Sequence, residues 1–284
     1  MRLSLTEVHA LDKSALRRAS DRAAPVYDQH AALYREICER LLSRLDYIRC
    51  DPRTALDVGA GTGQATQALL ARYTTNNVIA LDISRGMLKT IDRPRPWRRK
   101  PPRVQCDAEA LPIRDGSIDL LVSASTFHWC RNYAQLFAEM KRVLSPGGVL
   151  LFATFGTDTL HELRGAWAQV DGAVHVHEFA DMHVLGDAML NAGLVDPVVD
   201  SELLTLTYSH PRAVMQDLRA AGAGNASTAR PRGLQGRHAL QRMLDAYPQA
   251  ADGKFVATYE VVYGHAWGSR IAGRAVNVAF DSGP

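Results

Sequence analysis

Apolar and polar positions follow two rhythms along this chain. "TALDV" (54–58), "NVIALDIS" (77–84), "RVQCDAEALP" (103–112), "SIDLLVSAS" (117–125) and "VLLFATF" (149–155) are short apolar runs of strand length. Between them, "QATQALLARY" (64–73), the stretch around "RGMLKTI" and "NYAQLFAEMKRVLSPGG" (132–148) carry apolar residues at helical spacing, the last ended by Pro146 and two glycines. Strands separated by such helices predict parallel βαβ units wound on both faces of one sheet.

The flanks have the same two rhythms. Residues 26–46, "VYDQHAALYREICERLLSRLD", predict a helix ahead of the first strand. Later, helices are expected over 158–170 and 183–192. "LLTLTY" (203–208) and "TYEVVYGHAW" (258–267) alternate like strands that add antiparallel edges to the sheet. "AAGAGNASTARPRGLQG" (220–236) predicts a mobile connection. No internal repeat interrupts this order.

Composition narrows the class. With 46% apolar and 22% charged residues, the chain reads as an ordinary globular protein. No apolar stretch approaches the ~20 residues of a membrane span. The first 25 residues lack a signal-peptide core and contain Glu7, Asp12 and Asp21, so a cytoplasmic enzyme is expected. Cys38, Cys50, Cys106 and Cys130 form no CxxC pair and read as reduced thiols. The +3 net charge is uneven: "DRPRPWRRKPPR" (92–103) has six basic residues and one acid. Its four prolines make it a loop, either a solvated connection or a docking site for an acidic partner.

The chemistry centres on "ALDVGAGTGQ" (55–64). A Walker loop ends in Gly-Lys-Ser/Thr, and Gly63-Gln64-Ala65 has no lysine. A dinucleotide fingerprint would need a glycine at Gln64 or Thr66, so that fit is poor. Asp57 precedes the turn, where it would repel a pyrophosphate by about 4 kcal/mol at 4 Å and an effective dielectric of 20. S-adenosylmethionine has no phosphate; its ammonium, sulfonium and carboxylate suit a turn with a nearby acid and a helix N-terminus. Asp82, 19 residues past Gly63, is placed to accept ribose hydroxyls. Asp107 is placed for an adenine amino group, with Ala108 against the ring.

This constellation resembles the class I S-adenosylmethionine-dependent methyltransferases. "LDVGAGTG" is similar to their first motif, "LDIS" to the second acidic strand, "DAEALP" to the adenine-side turn and "RVLSPGG" to a helix-to-strand junction. The resemblance covers about residues 50–155. It implies an α/β, Rossmann-like, doubly wound and mostly parallel seven-stranded sheet, with an N-terminal helical cap and C-terminal substrate-side insertions. It implies cofactor contacts from Asp57, Gly59, Ala60, Gly61, Gly63, Asp82, Ile83, Asp107 and Ala108.

The flanks carry a finer resemblance. "DRAAPVYDQHAALYREICERLL" (21–42), "FGTDTLHELRGAW" (155–167), "FADMHVLGDAML" (179–190), "DLRAAGAGNA" (217–226) and "TYEVVYGHAW" resemble the malonyl-acyl-carrier-protein O-methyltransferases of biotin synthesis. One domain is expected over 1–268, divided into a cap (1–50), a cofactor core (51–155) and a substrate half (156–268). The tail 269–284 is unassigned. Ser20 stands where that family typically has Phe.

The resemblance implies a malonyl-loaded acyl carrier protein as partner, and neither nucleic acid nor membrane. The nearest rival is an arginine hydroxylase resembling the mitochondrial complex I assembly factors; a non-catalytic cofactor-binding protein is a third reading. A carboxylate acceptor is already an anion at neutral pH and needs no general base. It needs alignment, and its charge needs a partner. Tyr27 either faces the methyl donor or packs the cap on the core. His128 and Trp129 of "STFHWC" follow the fourth strand, where they can wall the site. Arg17, Arg18, Arg22 and Arg164 are candidates for the malonyl carboxylate. "HVHEFADMH" offers His175, His177 and His183 without a firm third ligand or a supporting shell, and no metal is expected.

Overall fold

A computed structural model describes residues 11–73, 77–92, 100–231, 233 and 236–268. Three helices come first: α1 (Lys13–Ala23), α2 (Tyr27–His30) and α3 (Ala32–Ser43). The core runs β1 (Thr54–Val58), α4 (Gln64–Arg72), β2 (Asn77–Asp82), α5 (Arg85–Thr90), β3 (Arg103–Gln105), β4 (Ile118–Ala124), α6 (Tyr133–Val143) and β5 (Leu144–Phe155). It is followed by α7 (His161–Ala168), α8 (Met182–Asn191), β6 (Val195–Tyr208), α9 (Pro211–Ala220), α10 (Arg237–Ala246) and β7 (Phe255–Trp267).

The seven strands form one sheet in the order β3-β2-β1-β4-β5-β7-β6. β1 to β5 run parallel, and β7 is antiparallel to both β5 and β6. The central strands are mostly apolar because both faces are covered, with Asp57 of β1 and Ser123 of β4 as buried polar exceptions. Leu33, Ile37 and Leu41 of α3 and Leu69 of α4 lie in the core on one face, while Leu136, Phe137 and Met140 of α6 and Leu185 and Met189 of α8 lie in the core on the other.

Register aligns the strand ends. Leu56 faces Ile79 on one side and Leu121 on the other, and Val122 faces Leu151. The residues just past β1, β2 and β4 therefore emerge together along one edge, where a parallel sheet places its ligands.

Several boundaries differ from expectation. The helix expected over 26–46 is broken at Ala31, which leaves the helical region at φ −95°, ψ 23°. The third strand keeps only residues 103–105, because only these pair with β2 and "DAEALP" turns away. The helix expected to be ended by Pro146 and two glycines stops earlier, at Val143; Leu144 to Gly148 already belong to β5. β7 is an interior strand rather than an edge, since the 14-residue β6 pairs along its outer side.

The expected mobile connection at 220–236 is instead pinned over its first half. Asn225 Nδ2 donates to Val174 O (2.6 Å), Leu11 bridges Ser227, and Arg230 pairs with Asp12 (2.9 Å). The basic run 92–103 and the tail 269–284 fall outside the described residues, except Asp92 and 100–103; Lys100 pairs with Asp92 at 3.1 Å. Among the described residues no helix is long and apolar enough to cross a membrane.

Candidate active site

The turn after β1 is shaped by backbone needs. Gly59 has φ +76°, and a Cβ there would overlap the Thr126 side chain, so this position requires glycine. The Gly59 and Ala60 N–H groups both donate to Leu81 O (2.7 and 2.9 Å), which ties the turn to β2. Gly63 lies at φ +94° as the N-cap of α4.

A cleft opens above this turn. It is lined by Gly59, Gly61, Asp82, Ile83, Asp107 and Ala108, as expected, together with Tyr27 and Trp129. Asp82 is held by its backbone neighbours: Gly61 N–H donates to Oδ2 (2.9 Å) and Ser84 N–H to Oδ1 (2.7 Å). Burial raises its pKa and those backbone donors pull it back. Asp107 accepts from Lys13 Nζ (2.6 Å), and the same ammonium pairs with Glu109. An adenine amino group at Asp107 would thus share that carboxylate with α1.

Three expected cofactor residues do not line the cleft. Asp57 is 1% exposed beneath the turn, where its Oδ2 accepts from Thr66 Oγ1 of α4 at 2.5 Å. Its side chain points into the sheet–helix interface, so it does not meet a ligand cation directly. Burial pushes its carboxyl up to about 7. Ala60 packs with Ala80, Leu88 and Ile91, and a Cβ on Gly63 would meet Ile91. Both positions shape the turn from behind.

A second cavity of about 790 Å³ adjoins the first. It is walled by aromatic rings, among them Phe155, Trp167 and Phe179, and Tyr34, Trp129, Leu16, Gly222 and Ala223 border both spaces. His128, expected to wall the site, is buried here against Trp129 and Phe155, with ring centroids 4.8 and 4.7 Å apart. Burial, with His177 nearby, pushes its pKa well below the usual histidine range, so the imidazole is neutral. Tyr27 stacks obliquely on Tyr34 at 5.9 Å; burial keeps its phenol protonated.

The arginines divide. Arg22 and Arg18 on α1 line the second cavity with exposed side chains, joined by Arg219 of α9. Arg17 borders neither space: it lies one position from Arg18, on another side of α1. Arg164 donates to Thr157 O (3.2 Å) and Thr159 O (3.1 Å) and also lines neither. The three histidines of 175–183 do not converge on one point. His175, stacked on Trp167 at 3.7 Å beside Asp171, and His177 both line the second cavity, whereas His183 is exposed on α8. Cys106 borders the cleft, but burial pushes its thiol up to about 12. It offers no thiolate at neutral pH.

Lys13, Tyr34 and Ser125 were not anticipated. Tyr34 sits seven residues after Tyr27, two turns on, a spacing that signals a shared face. Lys13 and Ser125 had no such signal.

The cleft suits a cationic nucleoside without phosphates. Its lining carries the carboxylates Asp82 and Asp107 and one basic side chain, Lys13, already matched by Asp107 and Glu109. Among the described residues no free cation lines it to answer a pyrophosphate. The sheet order and this turn define an S-adenosylmethionine-dependent methyltransferase. A family model described as a methyltransferase domain matches residues 56–152.

Two solved structures share the fold at low identity. One is the YcgJ protein of Bacillus subtilis (TM-score 0.58, 15% identity, 82% of this chain and 99% of that one). The other is a phosphoethanolamine N-methyltransferase 2 of Haemonchus contortus (TM-score 0.52, 16% identity, 82% and 53%), solved with S-adenosylhomocysteine.

Full-length relatives go further. The chain is 49% identical over 265 residues to the malonyl-[acyl-carrier protein] O-methyltransferase of Halorhodospira halophila, covering 92% of this chain and 90% of that protein. It is 47% identical over 272 residues to the enzyme of that name from Laribacter hongkongensis, covering 93% and 92%. The chain belongs to the malonyl-[acyl-carrier protein] O-methyltransferase family.

Proposed function

We propose that this enzyme methylates the free carboxylate of a malonyl group carried as a thioester on acyl carrier protein, giving the methyl ester that primes biotin synthesis. The observation that carries the reading is the junction of the two cavities at Tyr34 and Trp129. An acyl group in the aromatic cavity brings its far end to the cofactor cleft there. S-adenosylmethionine, when bound, supplies an electrophilic methyl group on a sulfonium.

The chain's own residues then have three tasks. Gly59, Gly61, Ile83 and Ala108 border the cofactor, and Asp82 and Asp107 offer carboxylate acceptors to its polar edges. Tyr27 and Trp129 exclude water from the place of transfer. Positioning of this kind supplies roughly 7–11 kcal/mol of a barrier. No base is required, because the acceptor is already ionised. Arg18, Arg22 and Arg219, exposed at the cavity rim, suit the phosphate of a pantetheine arm and the acidic surface of a carrier protein. The reading places one domain over 1–268 and the reaction in the cytoplasm.

Mass spectrometry of malonyl-carrier protein after incubation with methyl-labelled cofactor tests this. A gain of one methyl group, removed by a carboxyl esterase, is expected, and faster transfer to the carrier protein than to malonyl-coenzyme A. An added oxygen on a protein arginine overturns the reading in favour of a hydroxylase. Cofactor uptake with no methyl transfer would mark a non-catalytic binder.

A further inference from the structure

Among the described residues few buried side-chain polar atoms lack a hydrogen-bond partner, and two of them lie in one loop. Ser125 Oγ and His128 Nδ1 are both buried and unpartnered among the described residues. Native proteins seldom leave such groups unsatisfied, since the desolvation cost is then uncompensated. Ser125 follows β4 and lines the cofactor cleft; His128 lies in the next turn and lines the acyl cavity. Trp129 borders both spaces. The two unmet groups therefore flank the passage between methyl donor and acyl chain.

The backbone at this point is also strained. Ser125 sits at φ +59°, in the left-handed region that disfavours a side chain, while its N–H is fixed to Ala153 O at 2.8 Å. A serine that keeps a costly conformation and an unmet hydroxyl is placed for a ligand rather than for the fold. His128 makes no hydrogen bond through either ring nitrogen among the described residues, and a neutral imidazole always carries one N–H. In either tautomer it has a donor to offer.

We propose that Ser125 and His128 hold the acceptor carboxylate of the substrate through neutral hydrogen bonds, with no arginine paired to it. This rests on the carboxyl-methylation reading above. The arginines are placed elsewhere: Arg17 and Arg164 line neither cavity, Arg230 is paired with Asp12, and Arg18, Arg22 and Arg219 are exposed at the rim. The chemistry favours neutral donors. An arginine would hold the reactant anion tightly and lose that attraction as the anion becomes a neutral ester. Hydroxyl and imidazole donors orient the same oxygens and remain bonded to the ester carbonyl. The cage of Trp129, Phe155 and Phe179 around His128 keeps it uncharged and the passage dry.

The test measures binding of malonyl- and acetyl-coenzyme A to the full protein saturated with S-adenosylhomocysteine; the ratio of the two affinities reports recognition of the carboxylate alone. Ser125→Gly is expected to raise the melting temperature by relieving the strained φ, and still to lower the malonyl preference about tenfold. His128→Phe is expected to lower it similarly and His128→Asn, which restores a neutral donor, to recover it. Arg22→Gln and Arg219→Gln are expected to weaken both thioesters alike. If an arginine variant erases the preference while Ser125→Gly and His128→Phe keep it, the assignment is wrong. If the unaltered protein shows no malonyl preference, the carboxyl-methylation reading falls and takes this assignment with it.

Discussion

Asp57 shows how a residue can matter to a site without touching it. Its carboxylate is sealed under the glycine turn with Thr66 as its one side-chain donor, and burial pushes its pKa up to about 7. A folded-state pKa above the unfolded value means that the proton favours the fold. That contribution is complete below about pH 4 and is lost as pH rises through about 7. Asp57→Asn mimics the protonated form. Its melting temperature is expected to fall less than that of the unaltered protein between pH 5 and 8, and to exceed it at pH 8. Equal slopes for the two proteins would place the titration elsewhere.

Residues were legible to different degrees. Asp82 and Asp107 were read from their positions at strand ends, which the parallel register turns into one edge. Asp57 was read at the right place with the wrong neighbour, because a strand position does not reveal which face its side chain takes when both faces are buried. Ser125 was invisible, since its interest lies in a positive φ that no serine announces.

Among the elements, α1 bears on the site most directly and was the hardest to foresee. "KSALRRASDRA" carries five charged residues beside small ones, which leaves Leu16 as its one large apolar side chain. Its placement comes from tertiary polar contacts: Asp21 accepts from Ser84 Oγ and Gly86 N–H at one end, and Lys13 pairs with Asp107 and Glu109 at the other. Removing Lys13 leaves two carboxylates without their cation, a partly exposed arrangement worth roughly 1–3 kcal/mol. Lys13→Met is expected to speed amide hydrogen exchange in 13–23 and 222–230 while leaving 54–58 protected, and to weaken S-adenosylhomocysteine binding. Uniform loss of protection would mean that the pair supports the whole fold instead. The break at Ala31 was equally hidden: no Gly or Pro marks it.

At the scale of the molecule, the doubly wound core was readable because central parallel strands are mostly apolar runs separated by helices. The antiparallel pair was read as two alternating runs, but the sequence could not say that β7 enters between β5 and β6. The stretch 220–231 looked like a flexible linker by composition. It is ordered because Ser227, Asn225 and Arg230 find partners far away in sequence.

That tether has a kinetic corollary. Because α1 and residues 221–226 border both chambers, and Leu11 and Asp12 just ahead of α1 bond to Ser227 and Ala226, the two chambers are expected to be uncovered together. A seated thioester, threading out beside Arg22, would clamp the cover down over the nucleoside. In a pulse-chase, radiolabelled donor loaded first and then diluted with excess unlabelled donor should be committed to product when malonyl-carrier protein is saturating, and should wash out when it is scarce. Washout independent of carrier concentration would show two separately hinged covers.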